Sequence, residues 1–491
     1  MTLHHQVAVL LALGLVTPTT VHAAPLECAS LNDVHVPGVK VLRAEAVEHS
    51  DTAPAACRVN AVLRPTADSD THIEVLLPDR AAWNGKYQAV GNGGWGGSIN
   101  TAEMATALAR GYATSSTNTG HSGGRASFAP EHPEKLIDFG YRAVHEMTVA
   151  AKALIAAYYG QPATLSYFVG CSSGGRQALM EAQRFPTDYD GIVAGATTNN
   201  ITPMMAERIN VAQATLSRKE SYIEPALYPV IHAAVLRACP SHAGVLDDAF
   251  SCRFNPAVLQ CKPGETKDCL TAPQVQAAQR IYTPLTNPRT GETTFPPMER
   301  GSELVWATLA GGPQPILLAD DFFRYIVFDK PDWDFRTLNF DGDVALAHQR
   351  ADRVLASTDP DLRPFFAHGG KLLQYHGLTD QQVMPRNSAN YYEAVRKAVG
   401  ATASDANHRL YLVPGMNHCG GGDGPSHFDM LGALEQWREH DVRPETIPAS
   451  HQTGGRADRT RNLCPYPQVS TYVGSGSESE AANYTCTMPT Q

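Results

Sequence analysis

LSYFVGCSSGGRQALMEAQRF, residues Leu165 to Phe185, decides how the rest of the chain is read. Its opening, Leu165 to Gly170, is an apolar run of buried-strand length, and from Arg176 the residues take helical spacing until Pro186. Between them stands Gly170-Cys171-Ser172-Ser173-Gly174-Gly175. A serine between a buried strand and a helix, with small neighbours that let backbones approach, matches the nucleophile elbow G-x-S-x-G. Strain in that turn lifts the hydroxyl above the sheet, and the helix N-terminus behind it favours developing negative charge. The competing reading is a plain strand–turn–helix joint. Ser173 also carries a hydroxyl, but its place after the nucleophile suits a backbone N–H donor to an oxyanion.

Outward from the elbow the same alternation continues. Upstream, Thr71–Asp79 reads as a strand, Lys86–Gly97 as a strand running into a glycine-rich turn, Gly111–His121 as a short strand and loop, and Tyr141–Gly160 as a helix closed by a glycine. Downstream, Tyr189–Thr197 is a further buried strand. Strands alternating with helices imply an α/β fold, a mostly parallel sheet covered on both faces. The pattern breaks off at Asn199 and resumes with KLLQYHGLTD (Lys371 to Asp380), a helix, HRLYLVPG (His408 to Gly415) and a last helix (Phe428 to His440). The expected organisation is an α/β-hydrolase domain over 24–198 and 354–491, interrupted by a lid domain over 199–353.

A serine becomes nucleophilic beside a base, and the base is oriented by an acid. In this fold the chain order is serine, acid, histidine. Asp380 follows the strand at Lys371, and His418 follows the strand at His408, with room between them for one helix and one strand. Among competing histidines, His376 lies within a strand, His427 and His440 at helix ends, and His121 upstream of the serine, in the wrong order. The oxyanion hole is expected from the N–H groups of Ser173 and of Gly94 in GNGGWGG (Gly91 to Gly97), with Gly93 next in line. The alternative use of such a glycine loop, a phosphate cradle, lacks the dinucleotide fingerprint and the P-loop lysine.

Met1 to Ala23 carries an apolar run, Val7–Val16, and the small-residue exit Val21-His22-Ala23, so residues 1–23 are expected to be a signal peptide, although the n-region has no Lys or Arg. The run is too short to span a bilayer, and no membrane anchor is expected. With 43% hydrophobic and 18% charged residues the composition is that of a globular protein, and a net charge of −10 without basic clusters speaks against nucleic-acid partners. The 10 cysteines fit a secreted or periplasmic, disulfide-bonded chain. Sequence does not determine their pairing, but short-range bridges Cys28–Cys57, Cys239–Cys252, Cys261–Cys269 and Cys464–Cys486 would leave Cys171 for Cys419. A Ser–His contact and a bridge between the residues beside each need comparable separations. The rival, a Cys171 thiolate nucleophile, is disfavoured by export and by this matching partner.

Together GNGGWGG, GCSSGG followed by QRFPTDYDGIVAGA, HGLTD and PGMNHC resemble the tannase and feruloyl esterase family, which includes mono(2-hydroxyethyl) terephthalate hydrolases. The resemblance spans most of the mature chain. It implies a Cys171–Cys419 bridge beside a Ser172–Asp380–His418 triad, a large lid, and hydrolysis of small-molecule aromatic-acid esters, feruloyl or galloyl. A terephthalate monoester is the alternative substrate, and an acyltransferase on the same scaffold the alternative activity. In the lid, Trp306, Phe322, Phe323, Tyr325, Trp333 and Phe335 are expected mainly as core, with substrate stacking the rarer role. Family members hold a structural calcium through an acidic stretch. Here that stretch reads CPSHAGVLD, Cys239 to Asp247, with Pro240 and Ala243 where carboxylates are expected, so no cofactor is expected.

Overall fold

Nine strands form one mixed sheet in a computed structural model that describes residues 24–49 and 54–489; the leader read at 1–23 lies outside the described residues. In chain order they are β1 (Val39–Val47), β2 (Ala56–Leu63), β3 (Thr71–Pro78), β4 (Lys86–Val90), β5 (Ala113–Thr117), β6 (Leu165–Cys171), β7 (Gly191–Gly195), β8 (Lys371–Gly377) and β9 (His408–Val413). Across the sheet the order is β1-β2-β3-β5-β4-β6-β7-β8-β9. From β5 to β9 every neighbouring pair is parallel; β1, β2, β3 and β5 pair antiparallel. The antiparallel flank is larger than the sequence pattern shows. At the sheet's edge, β1 buries only Ala44, so its apolar periodicity is faint. Along β2 the polar Arg58 and Asn60 interrupt a buried run.

Helices cover both faces because their apolar residues fall on one side. In Ala143–Tyr159, Val144, Met147, Ala151, Leu154, Ile155 and Tyr158 recur at helical spacing, and all are buried against the sheet. Each large apolar side chain so placed contributes about 1.5–3 kcal/mol. Gly160 ends that helix in the left-handed region at φ 74°. On the opposite face Thr101–Ala109 and Met430–His440 bury Ala107, Leu434 and Trp437 against Tyr167 and Leu373.

Between β7 and β8 the chain carries helices Ile201–Leu216, Tyr228–Ala238 and Ala272–Ile281 with many short turns. Its apolar residues make a core of their own, shared with Trp95 beyond β4 and with Leu378, Val383 and Met384 beyond β8. That places it against the C-terminal ends of the parallel strands. Trp306, Phe322, Phe323, Trp333 and Phe335 belong to this core at 0 to 5% exposure, and only Tyr325 is half-buried. Five of the six aromatic side chains are therefore core, with Phe323 packed on Phe322 and Trp333, and Trp306 on Tyr228 and Tyr282.

The C-terminal tail forms two hairpins, Ile447–Thr453 with Arg456–Leu463 and Val469–Tyr472 with Tyr484–Thr487. Their connection pairs with the outer edge of β9, where Tyr466 N–H donates to Leu410 O at 2.8 Å. An open parallel edge is thus covered. Five disulfides join Cys28–Cys57, Cys171–Cys419, Cys239–Cys252, Cys261–Cys269 and Cys464–Cys486.

Candidate active site

Strand β6 ends at Cys171, and the next helix, Ser173–Arg184, begins two residues later. So abrupt a reversal drives Ser172 to φ 63°, ψ −120°, a conformation that costs on the order of 1–3 kcal/mol and persists only where its surroundings enforce it. They do: Ser172 N–H donates to Gly195 O at 3.0 Å, and Ser172 O accepts from Arg176 N–H at 3.0 Å and from the Thr198 hydroxyl at 3.3 Å. Close packing demands the glycines. A Cβ on Gly175 would lie 2.2 Å from Gly195 O, and one on Gly170 would lie 2.5 Å from Gly174 O.

The loop after β4 is fastened to the same helix. Gln177 accepts from Asn92 N–H at 2.9 Å and donates to the Asn92 side chain at 3.1 Å. Ser173 Oγ donates to Gly94 O at 2.7 Å. Among the described residues neither Ser173 N–H nor Gly94 N–H donates to another protein group, so both remain available to an anion. Gln177 was not singled out by the sequence reading, because nothing local distinguishes it from any polar helix residue.

Asp380 lies beyond β8 with its side chain shut off from solvent. His418 Nδ1 donates to its Oδ2 at 2.7 Å, which leaves Nε2 as the basic nitrogen. Gln382 and Val383 N–H groups donate to Oδ1 at 2.7 and 2.9 Å. Burial alone would push this carboxyl up, but His418 and His376 beside it outweigh burial and hold it well below the usual range. The acid's loop is braced from the inserted segment, where the buried Arg208 donates to Gln382 O at 2.9 Å. Its partner loop is tied in by Thr379 Oγ1, which donates to Asn417 at 3.0 Å. Cys171 and Cys419, the neighbours of Ser172 and His418, are bonded with Cα atoms 6.0 Å apart.

The structure thus gathers Ser172, Asp380, His418, Ser173 and Gly94 at the C-terminal end of the sheet, where open α/β sheets place their sites. Of the competing histidines, His376 lies beside Asp380 at 3.1 Å, His121 is stacked 3.7 Å from Phe128 in the interior, and His427 and His440 are exposed. Inserted-segment residues that the sequence reading missed come close to the site. Leu318 Cδ2 lies 3.5 Å from where a Gly94 Cβ would stand, and Leu317 is exposed. A cavity of about 130 Å³ adjoins Thr379 and Asn417 and is walled by Leu246 and Leu304. Clefts of about 620 and 580 Å³ include none of Ser172, Asp380 and His418. Among the described residues one cluster, His145, Glu181 and Asp188, has donor atoms within 4.8 Å of one another, but Lys152 donates to Asp188 O and already brings a cation there.

Residues 57–487 match the family model described as tannase and feruloyl esterase. The chain is 36% identical to an uncharacterized esterase of Xanthomonas campestris pv. campestris, over 95% of this chain and 92% of that one. It is 31% identical to a probable feruloyl esterase B-2 of Aspergillus terreus, over 88% and 86%. The crystal structure of feruloyl esterase B from Aspergillus oryzae superposes with a TM-score of 0.88 at 28% identity, covering 94% of this chain and 99% of that one. Among the described residues no helix is long and apolar enough to cross a membrane. With a family match over most of its length and the same fold, this chain belongs to the tannase and feruloyl esterase family of carboxylic ester hydrolases.

Proposed function

We propose that the protein is an exported serine esterase that cleaves feruloyl- or galloyl-type aromatic esters through an acyl-enzyme on Ser172. The observation that carries this reading is the 2.7 Å hydrogen bond from His418 to buried Asp380, beside a disulfide joining the serine's neighbour to the histidine's. His418 Nε2 takes the Ser172 proton as Oγ attacks the ester carbonyl carbon. The resulting oxyanion meets the N–H groups of Ser173 and Gly94. As the C–O bond to the alcohol breaks, the imidazolium returns the proton to the departing oxygen. Water then attacks the acyl-enzyme with the same base and releases the acid. The segment 199–353 serves as a lid, and apolar Leu318 beside the oxyanion loop suits an aromatic acyl group better than a charged one. The feruloyl esterase relatives support the same substrate class. Five disulfides support export.

The protein works without a calcium in the stretch Cys239–Asp247. Asp247 is engaged by His242 at 2.6 Å and faces Arg461 at 3.6 Å, while Ala243 accepts from Arg459 through its carbonyl at 2.8 Å and donates to Glu478 at 2.7 Å. A dication needs six to eight oxygen ligands and would meet an arginine instead.

The test compares wild type with Ser172→Ala on methyl ferulate, methyl gallate and a terephthalate monoester. The expected result is hydrolysis of the first two and a loss of at least about 10³-fold in the variant. Wild-type turnover by Ser172→Ala overturns the mechanism; preference for the terephthalate ester overturns the substrate assignment.

A further inference from the structure

His376 is a second buried histidine on the acid, and the triad as proposed does not use it. Its side chain is completely buried on β8, where an imidazole persists only if its nitrogens are bonded. Both are. Nε2 lies 3.1 Å from Asp380 Oδ2, the oxygen that also receives His418, and 2.9 Å from Val383 O. Nδ1 lies 2.7 Å from Ser388 Oγ. A carboxylate and a carbonyl can only accept, so the proton between them belongs to His376 Nε2. Asp380 is consequently gripped on both oxygens, Oδ1 by two main-chain N–H groups and Oδ2 by two imidazoles, and cannot rotate without breaking several bonds.

The network runs on from Ser388. Its Oγ lies 3.2 Å from Thr197 Oγ1, and the neighbouring Asn387 side chain donates to Thr197 O at 3.0 Å. The next residue, Thr198, bonds the Ser172 carbonyl. One chain of contacts therefore leads from the acid through His376 to the loop that holds the strained serine.

We infer that His376 is a positioning residue, which aims the Asp380 carboxylate at His418 and couples that aim to the loop bracing Ser172. This inference rests on the triad reading. Misplacing a catalytic group by about 1 Å costs on the order of 10²-fold while leaving substrate contacts in place, so the effect belongs in kcat.

Steady-state kinetics on methyl ferulate tests it with four variants. His376→Met fills the volume without an N–H; kcat should fall about 10–100-fold with KM within about 2-fold of wild type. His376→Gln sets an N–H near the Nε2 position and should recover kcat to within about 5-fold of wild type, by the same geometric argument. Ser388→Ala, one link further out, should lower kcat about 3–10-fold at unchanged KM. Wild-type kcat in folded His376→Met, or a Gln variant no better than Met, overturns the proposal. If circular dichroism shows His376→Met unfolded, Ser388→Ala decides: wild-type kcat refutes, a selective fall in kcat supports. Asp380→Asn separates the two readings, since its full activity would remove the triad itself, whereas an inactive Asp380→Asn beside a normal His376→Met removes only this inference.

Discussion

Asp380 and the buried histidines set the electrostatics of the protein residue by residue. Asp380 stays ionised in a water-excluded place because four donors converge on it, and a carboxylate so held suits the imidazolium that the proposed mechanism forms. Two other histidines show the reverse case. Burial lowers His121 to about 4 and, with Arg409 adding to it, lowers His408 to about 3. Each accepts a proton readily only when the chain unfolds, so the unfolded state binds more protons below the ordinary value of 6.5. Stability should be full above that value and fall as pH drops from there toward 4. Chemical unfolding between pH 7 and 4.5 should show a loss of about 2 kcal/mol for each, and His121→Phe should flatten the curve. An unchanged slope in His121→Phe would show that this ring contributes nothing to it. Residue order counts against His121 as a base, and in the structure its ring lies against Phe128 and Phe139 with no carboxylate bonded to it among the described residues.

At the scale of elements, the elbow works because strand, helix and loop meet without side chains between them. Gly170, Gly174 and Gly175 bring β6, the Ser173–Arg184 helix and β7 within backbone contact, and this contact holds Ser172 in its costly conformation. Gly175→Ala should destabilise the protein by about 3 kcal/mol or more, since the neighbour at 2.2 Å is backbone and cannot rotate away. Urea unfolding measures this; a loss below 1 kcal/mol, within ordinary surface effects, would mean that the elbow relaxes. The elbow was legible in sequence because its requirements are local: apolar run, small residues, helical spacing. Arg208 and Gln177 were not, because their roles exist only where distant segments meet. Strand β1 escaped notice for a different reason, since an edge strand that buries one residue leaves little pattern.

For the whole molecule, the decisive event is the closing of long loops. The Cys171–Cys419 bridge spans 248 residues, and restricting so long a loop in the unfolded chain stabilises by about 5 kcal/mol in the entropy model. The tail performs a second closure. Arg459, Arg461 and Glu478 reach the loop at Cys239–Asp247 and hold it with the chain's own charges. Chelation with EDTA should therefore leave the melting temperature unchanged, whereas Arg461→Ala should lower it by several degrees, consistent with about 1–3 kcal/mol for leaving Asp247 with one partner fewer. A clear drop on chelation, restored by calcium, would contradict this.

Sequence by itself determined the strand–helix alternation from β3 onward, the strand–turn–helix at Ser172, the order in which Ser172, Asp380 and His418 follow one another, and the family. These depend on periodicity and on short motifs, which are written locally. Only the tertiary structure decided that Asp380 has two histidines rather than one. Strand spacing placed His376 inside β8, but whether its ring met a carboxylate depended on how the loop after β8 folds back. Likewise Trp306, Phe322, Phe323, Trp333 and Phe335 became core, because burying their large apolar surfaces outweighs holding them open to a site.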